Sequence, residues 1–515
     1  MTGGRSLFGA VRQIGGLTAL SRVLGFGRDI LLAIVLGGGP VADAFFVAFK
    51  LPNLFRRMTA EGAMTNAFLP AYAKAEKESP DAARRLAEEI QITLLWALVL
   101  ITIVMELAMP FVITFLAPGF SDEGGRFETA VMLARITMPY LPMISLVALW
   151  AAITNAGNHF FGGAAAPVLL NLVLMAGAVI AGLLAGVGAV PVAVAVPLAG
   201  LLQMLLLRRM LIRVDRVPRW ILFPRISEAG RRMWKSFLSA AIGAGGMQIN
   251  LLVDTILASL LPIGAISALY FADRIAQLPL GIIGIALGTA LLPQLSRYEA
   301  AGDKESVVLS MGKAITLGMF FALPAMAGAI CLAEEIIGGL FAYGAFDPAR
   351  ITPVAGVLVA YGLGIPAFIL AKIFQPAFYA AHDPKTPLKI SFGTIGINLV
   401  ASIMLMQVLG VAGLALATSL ASWVSVLVMG LILIRRRRLD LRSFSGLGRI
   451  VFISLVMAFV IILARPYVLE VLSGLPFSRT LGLAVLVMTG GIVYFGLAWL
   501  AGALPFEKDE RKSRG

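Results

Sequence analysis

Apolar residues come in runs of about twenty or more from one end of the chain to the other, separated by short polar connections. The hydrocarbon core of a bilayer is about 30 Å thick and takes about 20 helical residues to cross, so each run is long enough for one crossing. About fourteen occur, near 14–37, 41–70, 91–117, 129–154, 164–185, 188–212, 236–261, 264–295, 312–341, 352–380, 387–409, 411–434, 448–469 and 480–502. The pattern predicts an all-α polytopic membrane protein with about 14 transmembrane helices. The first run carries Arg22, Arg28 and Asp29 in its middle and has no small-residue cleavage site, so it reads as a retained helix rather than a signal peptide.

The runs repeat. Ala44, Phe46, Ala48 and Lys50 in AFFVAFK return as Ala268, Tyr270, Ala272 and Arg274 in ALYFADR, about 224 residues on. Ala67, Leu69 and Pro70 return as Ala290, Leu292 and Pro293, one residue out of step, and APGF at 117–120 has a counterpart in AYGAF at 342–346. Second matches eighth and third matches ninth, an even shift, so the halves share one orientation. The chain parses into 1–222 (helices 1–6), 223–445 (helices 7–12) and 446–515 (helices 13 and 14 with a tail): two six-helix lobes in parallel repeat plus two C-terminal helices.

Composition agrees. Of 515 residues 59% are apolar and only 14% charged, where soluble domains have roughly a quarter charged, which excludes a cytoplasmic globular enzyme. The net charge of +14 sorts by loop. The connections after the sixth and twelfth spans hold Arg208, Arg209, Arg213, Arg216, Arg219, Arg225, Arg231, Arg232 and Lys235, and Arg435 to Arg438, Arg442 and Arg449; loops of opposite parity carry only Arg126, Arg350, Arg465 and Arg479. Basic loops stay in the cytoplasm, so both termini are expected there and the charge is a topology signal, not a nucleic-acid site. One cysteine, Cys331, allows no intramolecular disulfide or thiolate metal site, and His159 and His382 leave little for general-base chemistry. No GxxxxGK[ST], HExxH or GxSxG occurs, so the chain reads as no enzyme.

Ionisable residues inside spans are costly and usually face a watery cavity or a partner. In SRVLGFGRD, Arg22 and Asp29 stand seven apart on nearly one helical face, with Arg28 about 120° round. In the second span Asp43, Lys50, Arg57 and Glu61 form one polar stripe about 27 Å long, with Asn53 on it and Arg56 beside it. In the eighth, Ser267 and Arg274 are seven apart, with Asp273 adjacent. Any single acid could pair with a neighbouring base merely to fix packing. As a set, Arg22, Arg28, Lys50, Arg56, Arg57 and Arg274 outnumber Asp29, Asp43, Glu61 and Asp273, which predicts a cationic cavity for an anion such as phosphate. Asp254, with Asn398, is a candidate Na⁺ or proton site, or an acid bonded to a neighbouring helix. Glu106, Arg135, Lys372, Glu334 and Glu335 lie nearer helix ends, where snorkelling is cheap.

The strings SRVLGFGRD (21–29), DAFFVAFKLPNLFRRMTAEGA (43–63), APGF (117–120), YFADR (270–274), GIIGIALGTALLPQLS (281–296) and DPKTP (383–387) resemble the lipid II flippases of the MurJ (MviN) family. That family belongs to the multidrug/oligosaccharidyl-lipid/polysaccharide exporter superfamily. The resemblance implies two six-helix lobes, with the last two helices forming a groove for a lipid tail. It implies movement of undecaprenyl-diphospho-muropeptide from the cytoplasmic to the outer leaflet of the inner membrane for peptidoglycan synthesis, with peptidoglycan synthases as candidate partners. The family's cavity arginines fall on Arg22, Arg28, Arg56 and Arg274, and its acidic and polar positions on Asp43, Glu61 and Ser267. A Na⁺ contributor fits Asp254, while the side around Asn398 matches poorly, so coupling to Na⁺ or to membrane potential stays open. The alternative is a cation-coupled exporter of another lipid-linked oligosaccharide or a drug.

Overall fold

The computed structural model describes residues 3–59, 63–120, 125–184, 186–223, 226–246, 248–444 and 446–504, and the regular elements among them are all helical. The first six expected spans are α1 (Gly3–Leu36), α2 (Pro40–Thr59) with α3 (Ala63–Glu78), α4 (Pro80–Leu107) with α5 (Met109–Leu116), α6 (Arg126–Thr137) with α7 (Tyr140–Ala156), α8 (Phe161–Leu183) and α9 (Val190–Arg213). The next six are α10 (Glu228–Gly246) with α11 (Ile249–Ser259), α12 (Ala265–Pro279) with α13 (Ile285–Ala300), α14 (Lys304–Cys331) with α15 (Ala333–Leu340), α16 (Ile351–Gly362) with α17 (Ile365–Ala380), α18 (Lys385–Leu409) and α19 (Val411–Arg435). The last two are α20 (Leu447–Leu472) and α21 (Ser478–Leu500).

Eleven helical stretches among the described residues are long and apolar enough to cross a membrane by length and composition. The other three expected spans are α1, α2–α3 and α10–α11, in which charges or a break interrupt the apolar run. The chain is a multi-pass membrane protein. Leu107, Phe111 and Phe115 on α4–α5 and Val408 on α18 are largely exposed, as an acyl-chain environment permits.

The repeat is visible in the breaks. The third span ends in an eight-residue α5 and the ninth in an eight-residue α15; the fourth opens with a twelve-residue α6 and the tenth with a twelve-residue α16. Met109 and Ala333 stand about 224 residues apart, the offset of the sequence repeat.

Prolines inside these helices remove a backbone donor and leave the carbonyl four residues back without its helical partner. In a membrane a neighbouring helix has to supply one. Pro52 frees the carbonyl of Ala48, to which the Thr137 hydroxyl donates at 3.4 Å. Pro110 frees that of Glu106, which Arg135 Nε reaches at 3.3 Å, and the helix breaks there into α4 and α5. Pro324 in α14 frees that of Phe320, which accepts from the Tyr494 hydroxyl of α21.

Two compact units result: one runs to Ser267 and includes Gly344–Phe346, the other comprises the remainder. In the first, α1 packs along α8, α8 along α9, and α2 along α6, around Phe45, Phe46, Phe68 and Tyr140. It extends past the boundary expected at 222 because the seventh span packs on it. Helix α10 lies against α2, α3 and α4, and two buried acids of α4 hold the preceding connection: Glu88 Oε1 accepts the N–H of Arg219 at 3.1 Å, and Glu89 Oε1 that of Ser227 at 3.0 Å. In the second unit α14 and α17 pack together, α18 pairs with α19, and α20 and α21 pair with each other. Ile453, Met457, Ile461 and Leu486 seat the last pair against Phe320 and Leu332.

Candidate functional site

Helix α1 carries the first cationic group. Arg28 and Asp29 are both buried; Arg28 Nε and Nη2 donate to Asp29 Oδ1 at 3.0 and 2.7 Å, and Nη1 to Asn171 Oδ1 of α8 at 3.0 Å. Asn171 is fixed in turn, its Nδ2 donating to the carbonyl of Ser21 at 2.8 Å. The guanidinium is thus held in an ion pair with its neighbour in sequence. Arg22, two turns earlier, is exposed and borders a cavity with Thr18 and Ser21.

The polar stripe of α2 faces the seventh span. Lys50 Nζ donates to Thr255 Oγ1 of α11 at 2.7 Å, and Arg57 Nη1 to Gln248 Oε1 at 3.4 Å. Between them Asn53 Nδ2 donates to the carbonyl of Phe49 at 3.0 Å, and its Oδ1 accepts from Arg56 Nε at 3.2 Å. Residues seven and fourteen apart on one helix therefore meet a single neighbour along a polar seam. Asp254 is half-buried beside Thr255 on α11. Glu61 lies outside the described residues.

The seam ends on Asp43, which is 1% exposed. Its Oδ2 accepts the N–H of Gly264 at 2.7 Å and its Oδ1 that of Ser267 at 2.8 Å, so a carboxylate from α2 caps the N-terminus of α12, where helix charge favours an anion. The Ser267 hydroxyl donates to the carbonyl of Gly264 at 3.0 Å. Arg126, 4% exposed, stands behind the acid: Nη1 lies 3.9 Å from Asp43 Oδ2, Nη2 donates to the carbonyl of Gly119 at 3.1 Å, and the guanidinium lies 4.7 Å from the Phe120 ring centroid. Gly119 N–H in turn donates to Ser259 Oγ at 3.3 Å, and a Cβ there would fall 2.0 Å from the Ser259 carbonyl oxygen, so only glycine permits the approach. The repeat-related Gly344 sits on the Ile34 carbonyl at the end of α1 in the same way, next to a 2.7 Å bond from the N–H of Ala345. Each half's APGF-like loop is thus seated on the end of the other half's first span.

In the second unit Arg274 stacks over Tyr270 at 4.8 Å, and Asp273 accepts from Gln277 one turn on, just before a π-turn at Leu280–Gly284. Asn398 is buried on α18, where its Oδ1 accepts from the hydroxyls of Ser402 and Thr418 at 3.5 Å. Among the described residues no group of three or more His, Cys, Asp or Glu could hold a metal ion.

Sequence patterning missed four contributors. Asn171 is a lone amide in an apolar run, which signals a partner without naming it. Arg126 reads as an outer-loop arginine and is instead buried by Asp43 and Phe120. Glu88 and Glu89 precede an apolar run and drew no reading, yet both are buried under the connection to α10.

A family model described as Lipid II flippase MurJ matches residues 32–486. The chain belongs to the lipid II flippase MurJ family. A relative from Rhizobium tropici, "Probable lipid II flippase MurJ", is 38% identical over 503 residues, 95% of this chain and 93% of that one. The fold of a MurJ structure in an inward closed conformation matches with a TM-score of 0.79 at 24% identity, over 95% of this chain and 98% of that one. An inward-facing MATE family transporter of the MOP superfamily matches with a TM-score of 0.66 at 17% identity, over 82% of this chain and 94% of that one. The MATE match covers less of the chain than the MurJ match.

Proposed function

We propose that this chain is a lipid II flippase of the inner membrane, moving the undecaprenyl-linked diphosphate muropeptide from the cytoplasmic to the outer leaflet by alternating access. The match to the MurJ family across residues 32–486 carries the reading. Basic loops put the connections after the sixth and twelfth spans, and both ends of the helical array, on the cytoplasmic side. The Asp43–Arg126 network then lies on the outer side, and its buried, bonded state is an outer closure.

The chemistry of the residues suits the cargo. A diphosphate stripped of water without partners would be prohibitive to move, and arginines can replace its hydration along a path. Arg22 is exposed at the start of that path; Arg28 and Arg56, each held by an asparagine, follow it. Asp29 lowers the net charge around Arg28, so the headgroup is held loosely enough to leave. Opening outward strips Asp43 of the N–H groups of α12, while Arg126 remains on the same side of the break to keep its charge matched. No bond is made or broken, so the chain acts as a transporter and not an enzyme. With the inside negative, an anionic headgroup is driven outward, worth about 2.3 kcal/mol per charge per 100 mV. The polyprenyl tail stays in lipid against α20 and α21.

Expression in cells depleted of their own flippase tests this: restored display of lipid II outside supports it, and failure at normal abundance refutes it.

A further inference from the structure

We infer that a cavity inside the first unit is a subsite for the sugar adjoining the diphosphate, with Asn155 as the residue that reads it. The inference rests on the flippase reading above and names the group by which a sugar-bearing lipid is told from a bare diphosphate.

The cavity has a volume of about 330 Å³, at the small end of small-molecule sites. Thr18, Ser21 and Arg22 line it from α1, because residues three and four apart share a helix face. Gly163 and Pro167 line it from the first turns of α8, by the same spacing, and Asn155 closes it from the last turn of α7.

Its polar groups ask for two kinds of partner. Arg22 has only donors and a permanent charge, which suits a phosphate oxygen. Asn155 asks for the reverse: its Oδ1 is buried with no hydrogen-bond partner, a state that costs free energy until a donor arrives. A second acceptor lies on the same wall. The carbonyl of Gly163 would take its helical bond from residue 167, which is proline and has no N–H. An ionised phosphate brings acceptors and no donor, so it can satisfy the arginine and leaves both oxygens unmet. A sugar phosphate brings both, its hydroxyls donating to Asn155 and Gly163 while its phosphate sits on Arg22. The hydroxyls of Thr18 and Ser21 can serve in either role.

The test measures binding of two probes to the purified full-length chain: a polyprenyl diphosphate carrying its sugar, and the same polyprenyl diphosphate without it. The intact chain is expected to prefer the sugared lipid. Asn155→Ala is expected to cut that preference about tenfold, the worth of one hydrogen bond, with affinity for the bare lipid unchanged. Asn155→Asp keeps an acceptor but adds a negative charge beside the phosphate, so both affinities fall while the preference survives. A preference unaltered by Asn155→Ala, or an equal loss for both lipids, overturns the assignment and leaves the flippase reading standing. Binding of neither lipid by the intact chain sinks the flippase reading, and the inference with it.

Discussion

Replacing Asp43 by Asn should loosen the outer closure without unfolding the protein. Both carboxylate oxygens accept backbone N–H groups at the start of α12, at 2.7 and 2.8 Å, and the side chain is 1% exposed. An amide offers one acceptor and one donor, so one of the two N–H groups loses its partner and faces another donor. An orphaned buried donor costs about 1–3 kcal/mol. Arg126 also loses its counter-charge; at 3.9 Å the pair is long, so this adds about 1 kcal/mol rather than the 3–5 kcal/mol of a tight buried pair. The closed state should lose about 2–4 kcal/mol, which raises the open fraction at least about thirtyfold. The assay is labelling of Ala265→Cys by a membrane-impermeant thiol reagent added from outside, in a chain whose Cys331 is replaced by Ser. Ala265 is 5% exposed at the first position of α12, so it is reached only when the closure opens. Labelling that speeds up by the stated factor while the protein stays folded fits; a rate equal to that of the Asp43 parent would mean that the capped helix end is not the closure.

Other predictions follow from single contacts. Tyr494→Phe removes the donor to the Phe320 carbonyl that Pro324 leaves open, and should cost about 1–3 kcal/mol, read as a lower unfolding midpoint in detergent; no change would mean that the carbonyl needs no partner. The Asp383 carboxyl, held by Thr386 and then by Arg436, is lowered to about 2. A depressed folded value means stability present at neutral pH and lost as pH falls from about 4 through about 2, so Asp383→Asn should destabilise at pH 7 and match the parent near pH 2. Gly119→Ala should place a Cβ on the Ser259 backbone and open the closure as Asp43→Asn does, scored by the same labelling. Collapsing the membrane potential should slow export of the anionic headgroup; an unchanged rate removes potential from the mechanism.

Hydropathy found the spans because twenty apolar residues have few other uses, and the charged strings identified the family because Arg22, Asp29, Lys50 and Arg57 are expensive in an apolar run. The breaks within spans were harder to read. Pro110 and Pro52 look alike in sequence, yet one marks a break and the other sits inside α2; in both cases a residue of α6 reaches the freed carbonyl, and that is tertiary information. Charge alone also leaves individual partners unread. A cation count puts Arg28 among the cavity cations without showing that Asp29 and Asn171 hold it; and loop placement made Arg126 a topology marker, whereas it is buried beside an acid of another helix. Spacing along one helix cannot reveal the facing helix, so the seam of α2 with Thr255 and Gln248 emerges only once α10 and α11 are packed on the first unit.

The most direct test is the appearance of lipid II in the outer leaflet of cells depleted of their own flippase, comparing the intact chain with Arg22→Ala at equal abundance. Arg22 is exposed, so its loss should spare the fold while removing the first cation that the diphosphate meets. Restoration by the intact chain and not by the variant is the predicted result. Equal restoration by both would contradict the cationic path, and restoration by neither would contradict lipid II flipping itself.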